Sequence, residues 1–482
     1  MTKAVVAIRR GINEAALSLD QAHAIANRPT QFTYVPPTHA RALDPDATLV
    51  EGIRGAGKSF WFSLLASTNH RAFVQENFPE SRLPSKLEVA QGFGASLSVK
   101  HAPDPATLEA LASKFPPRAI WRAVIAHHAE IGGPYSSLDR WLDRVSWIHQ
   151  NPEEFAQLIE AADTKLKAQG KTLLVLFDAL DRLADDWGHI RPLAKALLQV
   201  ALDMRGTQAI RCKVYVRPDL LQDPEITSFP DYSKLLGSKA SLAWRRADLY
   251  ALLYQCLGNS VAGGADFRRI VYGGSSPRGL SGGWKLPANL RVDEDAQELL
   301  FESIAGKAMG SSTKRGKPYT WLVNHLQDGL SQVSPRSYFA ALRTAAAETS
   351  SDYDLPLDYR GIQMGVQHAS QIRVQEITED YPWVKFVMEP LRGNLTVPCG
   401  SLDLEKIWKK ERTLSHLIRD IQGDKASVKL PPQNIGLGLE GLIIDLEGLG
   451  MIQRIEGRRV QMPDVFRVAF GLGRRGGVKP LR

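Results

Sequence analysis

The stretch Gly52-Ile53-Arg54-Gly55-Ala56-Gly57-Lys58-Ser59 constrains this chain more than any other. It fits G-x-x-x-x-G-K-[ST], the phosphate-binding loop, at every fixed position. The apolar residues 47–50 before it read as a short buried strand, and 60–66 after it as the apolar start of a helix. Strand, glycine-rich turn and helix N-terminus together make an anion cradle: the glycines let backbone N–H groups turn inward, and the helix end adds partial positive charge. In such a loop Lys58 reaches the β- and γ-phosphates of a nucleotide, and the Ser59 hydroxyl ligates Mg²⁺. Gly52, Gly55, Ala56, Gly57 and Phe60 complete the expected nucleotide contacts.

A second signal serves the first. The apolar run 173–177 ends in Asp178, as a fully buried parallel strand with a carboxylate at its C-terminal tip does. Ligands of open α/β sheets gather at such tips. Asp178 is thus expected to hold the Mg²⁺ through water, as a Walker B residue. Hydrolysis also needs a group to polarise the attacking water. In many ATPases a Glu follows the metal-binding Asp directly; here that residue is Ala179, and Asp181 is the nearest candidate. A further buried strand over 212–216 ends at Arg217, placed to sense the γ-phosphate; pairing with Asp219 is its bland alternative.

Around these signals the chain divides into a lead-in over 1–46, a nucleotide core over 47–235, a helical lid over 236–372 and a C-terminal domain over 373–482. A weak helical pattern at 12–26 suggests that the lead-in packs against the core. Runs at 71–74 and 87–90 read as strands, and 190–205 as a helix. Residues 248–254 read as an amphipathic helix. Leu280-Ser281-Gly282-Gly283-Trp284 looks like the transporter signature LSGGQ, but it lies about a hundred residues downstream of Asp178 rather than just upstream, and its last residue differs. Ser334-Pro335-Arg336 opens another helix, with Ser334 as N-cap and Pro335 at the first position. Arg336 then lies in the first turn of the lid helix, a place from which it can reach the γ-phosphate.

The last segment reads as helices over 402–421 and 437–449, then a hairpin of 451–455 and 459–462 over Glu456-Gly457-Arg458. That outline is a winged helix. The chain carries a net charge of +8, and 401–482 holds fifteen Lys and Arg against ten Asp and Glu, a net +5. Arg454, Arg458 and Arg459 cluster on the hairpin; Arg474, Arg475, Lys479 and Arg482 lie on the tail. Such residues neutralise duplex DNA phosphates without reading sequence, or sit solvated beside a protein contact.

Bulk composition excludes several classes. No run of eighteen apolar residues occurs, so no transmembrane helix is expected. The N-terminus lacks a signal-peptide pattern, and Cys212, Cys256 and Cys399 match neither a disulfide framework nor a zinc spacing. Both point to a cytoplasmic protein. ATP is the expected nucleotide, since no guanine-specifying N-K-x-D is visible.

Asp178-Ala179-Leu180-Asp181-Arg182 resembles the D-D-L-D-R of KAP-type ATPases and the D-G-L-D-E of STAND ATPases, both relatives of AAA+ proteins. The order of phosphate loop, Walker B strand, Arg217, lid with Ser334-Pro335-Arg336 and winged helix is also similar to archaeal origin-recognition ATPases. Ala179 departs from the pattern, standing where the KAP-type motif has its second acid. The resemblance implies an AAA+/STAND-like α/β P-loop NTPase core with a helical lid and a C-terminal winged helix. It further implies a homo-oligomeric ATPase that switches with nucleotide state, working with an effector protein in a phage-defence or mobile-element system. The alternative is a nucleotide-gated scaffold that barely turns over. A DNA-translocating motor fits less well, because no helicase motif accompanies the two Walker elements.

Overall fold

The protein, a computed structural model, is described over residues 3–20, 28–94, 98–274, 283–423, 430–475 and 478–480. Short β-branched and leucine-rich runs form β1 (Leu49–Glu51), β2 (Leu87–Phe93), β3 (Thr172–Phe177), β4 (Ile210–Val216) and β5 (Ala240–Ser241). They make one parallel sheet in the order β2-β3-β4-β1-β5. Alternate side chains of a strand point to opposite faces, and both faces are covered. Leu173, Val175 and Phe177 join Trp121 and Leu197 in one hydrophobic cluster, while Leu174 and Leu176 join Trp61 and Leu64 in another. This is the α/β P-loop NTPase core expected from the sequence, with helical regions around it. The strand order sets the tip of β4 between those of β1 and β3, so Arg217 lies between the phosphate loop and Asp178.

The helices that frame the site are α1 (Lys3–Asp20), α2 (Lys58–Ala66), α3 (Thr68–Asn77), α4 (Arg246–Asn259), α5 (Pro335–Glu348) and α6 (Tyr359–Asp380). Three expectations change here. The run 71–74 is helical, inside α3: Ser67 caps this helix by accepting from the His70 backbone N–H, and the three apolar residues 72–74 fit either period. The helix expected at 12–26 begins at Lys3 instead, and residues 21–26 lie outside the described part. Its buried Ile8, Ile12, Ala15 and Ala16 pack chiefly against α5 and α4 rather than against the nucleotide core. With α1 laid across it, α4 is buried all round from Ala247 to Gly258 and is not amphipathic in its setting. The Leu280-Ser281-Gly282 portion of the transporter-like stretch lies outside the described residues.

Close approach fixes α6 against α5. A Cβ on Gly365 would stand 2.1 Å from the Ala341 carbonyl oxygen, so only glycine lets the two backbones meet there. The helix α6 crosses residue 373 without a break and leads into the C-terminal region through helix Pro382–Met388.

That region holds β6 (Thr396–Val397), β7 (Cys399–Gly400), α7 (Ser401–Lys410), α8 (Thr413–Gln422), α9 (Leu439–Gly448), β8 (Gln453–Ile455), β9 (Arg459–Gln461) and β10 (Gly473–Arg474). The run 402–421 is two helices, not one, because Arg412 takes a left-handed φ of 50° between them. Strands β7, β9 and β8 form an antiparallel sheet in that order, with α7, α8 and α9 between its first and second strands in the chain. Strand β10 pairs with β6 in a separate ribbon. Among the described residues no helix is long and apolar enough to cross a membrane.

Candidate nucleotide site

The loop after β1 is shaped by its glycines. The Gly52 N–H donates to the Val216 carbonyl at 3.1 Å, tying the loop's start to the end of β4. Gly55 and Gly57 take φ of 79° and 101°, and Gly57 is the N-cap of α2. Lys58 folds back and donates through Nζ to the carbonyls of Gly52 (2.7 Å) and Ile53 (3.1 Å). Burial pushes its ammonium down to about 8, against the pull of Asp178. The Ser59 hydroxyl donates to Asp178 Oδ2 at 2.7 Å. Asp178 is 3% exposed at the tip of β3. Burial raises its pKa, and the Ser59 hydrogen bond and Lys58 oppose that rise.

A hydroxyl and a carboxylate side by side at the start of α2 suit one hard divalent cation. Among the described residues no group of three or more His, Cys, Asp or Glu side chains is arranged to hold a metal. Mg²⁺ at Ser59 and Asp178 would therefore draw its remaining ligands from water and phosphate oxygens. Gly52, Gly55, Ala56 and Gly57 form the turn of the loop, and Phe60 sits in the first turn of α2.

The arginines proposed from the sequence sit beside this loop, held by acids. Arg217 donates to Asp219 Oδ2 and Asp380 Oδ2, each at 2.9 Å, and to the Tyr381 hydroxyl at 2.5 Å. Burial acts to lower its pKa, yet Asp219, Tyr381 and Asp380 raise it well above the ordinary value. Asp181 lies 3.9 Å from Arg217 Nη1, on the short turn Leu180–Arg182. Arg336, in the first turn of α5, donates to Glu376 Oε1 at 2.6 Å. A third arginine joins them: Arg54 of the loop meets Asp380 Oδ1 at 2.6 Å and Glu379 Oε2 at 2.8 Å. The last turn of α6 thus presents Glu376, Glu379 and Asp380 to three cations from three different elements.

Sequence reasoning passed over Arg54 and these acids. Arg54 occupies a free position of the loop pattern. The acids gave one readable sign: negative charge at a helix C-terminus opposes the helix dipole and calls for cations nearby.

These residues line a cavity of about 910 Å³ between the core, α1, α5 and α6. Arg54, Gly55, Gly57, Lys58, Ser59, Phe60, Asp178, Asp181, Arg217 and Arg336 all border it. The five arginines proposed for DNA lie elsewhere. Arg458 and Arg459 are exposed on the hairpin, whereas Arg454 pairs with Glu440 (2.7 Å) and Glu447 (3.0 Å) of α9. Arg474 meets Asp464 at 3.2 Å and, with exposed Arg475, belongs to the β6–β10 side rather than to the hairpin. Arg482 lies outside the described residues.

No family model matches the chain, and no curated protein matches it. Solved structures similar to it include the ORC2 protein of Aeropyrum pernix in ADPNP–ADP complexes, at 12% identity and a TM-score of 0.36, covering 87% of this chain and 84% of that one. Cdc6p from Pyrobaculum aerophilum is similar at 11% identity and a TM-score of 0.27, covering 88% of this chain and 83% of that one. Likeness this faint leaves the functional reading to the geometry of the site.

Proposed function

We propose that this chain is an AAA+-type, ATP-binding and ATP-hydrolysing switch whose nucleotide state sets the position of α6, and through it the C-terminal domain. One observation carries the reading. Arg54, Arg217 and Arg336 surround the phosphate end of the cavity, and the carboxylates of Glu376, Glu379 and Asp380 hold them. A triphosphate offers the same arginines stronger, bidentate acceptors, so its arrival competes with the end of α6.

In the proposed chemistry water attacks the γ-phosphorus and the bond to the bridging β-phosphate oxygen breaks, releasing ADP and inorganic phosphate. Lys58 leaves its carbonyl partners for the β- and γ-oxygens; Ser59 and Asp178 would hold Mg²⁺, which would supply charge neutralisation to the transferred group. Asp181 orients the water, while Arg217 and Arg336 sense the γ-phosphate. The strand–three-helix–hairpin order of the C-terminal region and the exposed Arg458 and Arg459 support a winged helix that meets duplex DNA. Homo-oligomerisation, an effector partner and a phage-defence setting belong to the same proposal and rest on the family resemblance alone. A second reading, the slow scaffold, is favoured by Ala179, which carries no carboxylate beside Asp178.

Steady-state ATP hydrolysis and ATP binding, with and without duplex DNA, test the proposal against Lys58→Ala. The expected result is binding and turnover lost in the variant and turnover raised by DNA in the parent protein. Tight ATP binding without turnover selects the scaffold. ATP binding unchanged by Lys58→Ala overturns the site.

A further inference from the structure

The cavity runs on from the phosphate loop to a second end, bordered by Ala16 of α1, Leu252 of α4 and Phe339 of α5, where Arg28 also lines it. Arg28 is 6% exposed. Its guanidinium lies 5.0 Å over the Phe60 ring, and Nη2 donates to the Phe32 carbonyl at 3.1 Å. The other neighbour of Nη2 is Cys256 Sγ at 3.9 Å, a weak acceptor. Nε and Nη1 are buried and have no hydrogen-bond partner among the described residues. Among the described residues no carboxylate pairs with Arg28, whereas Arg54, Arg217 and Arg336 at the cavity's phosphate end each have one.

A buried cation with open donors is costly, and a protein normally satisfies it or replaces it. Packing alone does not account for Arg28, since an apolar side chain would cover Phe60 without that cost. Arg28 borders this end of the cavity together with Phe60, two residues beyond Lys58 on α2, and with the apolar side chains of Ala16, Leu252 and Phe339. A nucleotide held by its phosphates at Lys58 and Ser59 extends its sugar and base along the cavity, away from the loop. Purine ring nitrogens and a guanine carbonyl are acceptors that match open N–H groups, while an exocyclic amino group is not.

Resting on the nucleotide reading above, we propose that Arg28 anchors the base, its guanidinium turning its unpartnered N–H groups to purine acceptors while Phe60 supports it. The lead-in before the core therefore completes the nucleotide site. Base selectivity is set at Arg28 by the acceptors that a base presents.

The test compares ATP, GTP and inorganic tripolyphosphate binding by calorimetry in the full chain, its Arg28→Met variant and its Arg28→Lys variant. Arg28→Met is expected to weaken ATP by about tenfold or more and to leave tripolyphosphate within about twofold. The melting temperature of the nucleotide-free protein is expected to hold or rise in this variant, since an unsatisfied charge has gone. A structural arginine would lower it. Should Arg28→Met fail to fold, Arg28→Lys, which keeps a donor for Phe32 but loses the fork, must show the same ATP-selective loss. Equal losses for ATP and tripolyphosphate would make Arg28 a phosphate ligand and overturn the proposal. Unchanged ATP binding in both variants also overturns it. Failure of the parent protein to bind any of the three ligands defeats the nucleotide reading itself, a result separate from either.

Discussion

Gly55 stands where the loop meets the lid. With φ at 79°, a Cβ built on it would lie 2.3 Å from Ser334 Oγ and 3.5 Å from Arg336 Cβ. Gly55→Ala therefore strains the backbone and pushes the N-terminus of α5 off the loop. We expect a stability loss of about 1–3 kcal/mol, read by thermal melting, together with weaker ATP binding. Lys58 makes a second prediction at this scale. Its resting pKa is about 8, below the usual lysine value because of burial, and phosphate contact favours the charged form. Binding therefore takes up a proton above pH 8, and none below it. ATP affinity should be flat from pH 6 to about 7.5 and then fall by at most about tenfold per unit above pH 8, with Lys58→Arg removing the slope in calorimetric titrations. Lys58, Ser59 and Asp178 were legible in the sequence because their chemistry is written in local spacing. Arg54 and Asp380 meet across 326 residues of chain, and Arg28 is marked only by what it lacks, so neither site could be read from local pattern.

The acid-tipped α6 is the element that most repays substitution. Glu376, Glu379 and Asp380 crowd the negative end of a helix, a placement tolerated because Arg54, Arg217 and Arg336 surround it. Joint Glu376→Gln and Asp380→Asn replacement removes the carboxylate of Arg336 and leaves Arg54 with Glu379 and Arg217 with Asp219. We expect ATP to bind several-fold more tightly, while the nucleotide-free protein loses about 1–3 kcal/mol in denaturant unfolding. Weaker ATP binding in that variant would count against competition between α6 and phosphate. The legible elements were those with long, one-period patterns, such as β3 and α5. The helix at 71–74 was misread because Phe73 and Val74 form too short an apolar run to declare a period, and α4 because its second buried face is covered by α1, from the far end of the chain.

Across the whole molecule, one hydrophobic cluster continues from the sheet through Ile377 and Trp383 into the C-terminal helices, and the other joins the sheet to α1, α4 and α5. The nucleotide cavity lies where these two bodies of side chains meet around α6. Away from it, Arg458 and Arg459 stand exposed on the hairpin. Replacing both with Glu should leave the thermal melt and ATP binding unaltered. The slope of log affinity for duplex DNA against log salt should fall by about 2, measured by fluorescence anisotropy; an unchanged slope would remove the hairpin from the DNA surface. The glycine contact of α6 with α5 has a mechanical consequence. From Gly365 to Asp380 the helix runs about 22 Å, so a rotation of only about 4° at that contact carries its tip about 1.5 Å. Ion pairs of 2.6 to 2.9 Å at Arg336, Arg54 and Arg217 do not survive such a displacement. In the proposed switch a swing of α6 that small is thus enough to exchange arginine–carboxylate pairs at its tip for arginine–phosphate contacts.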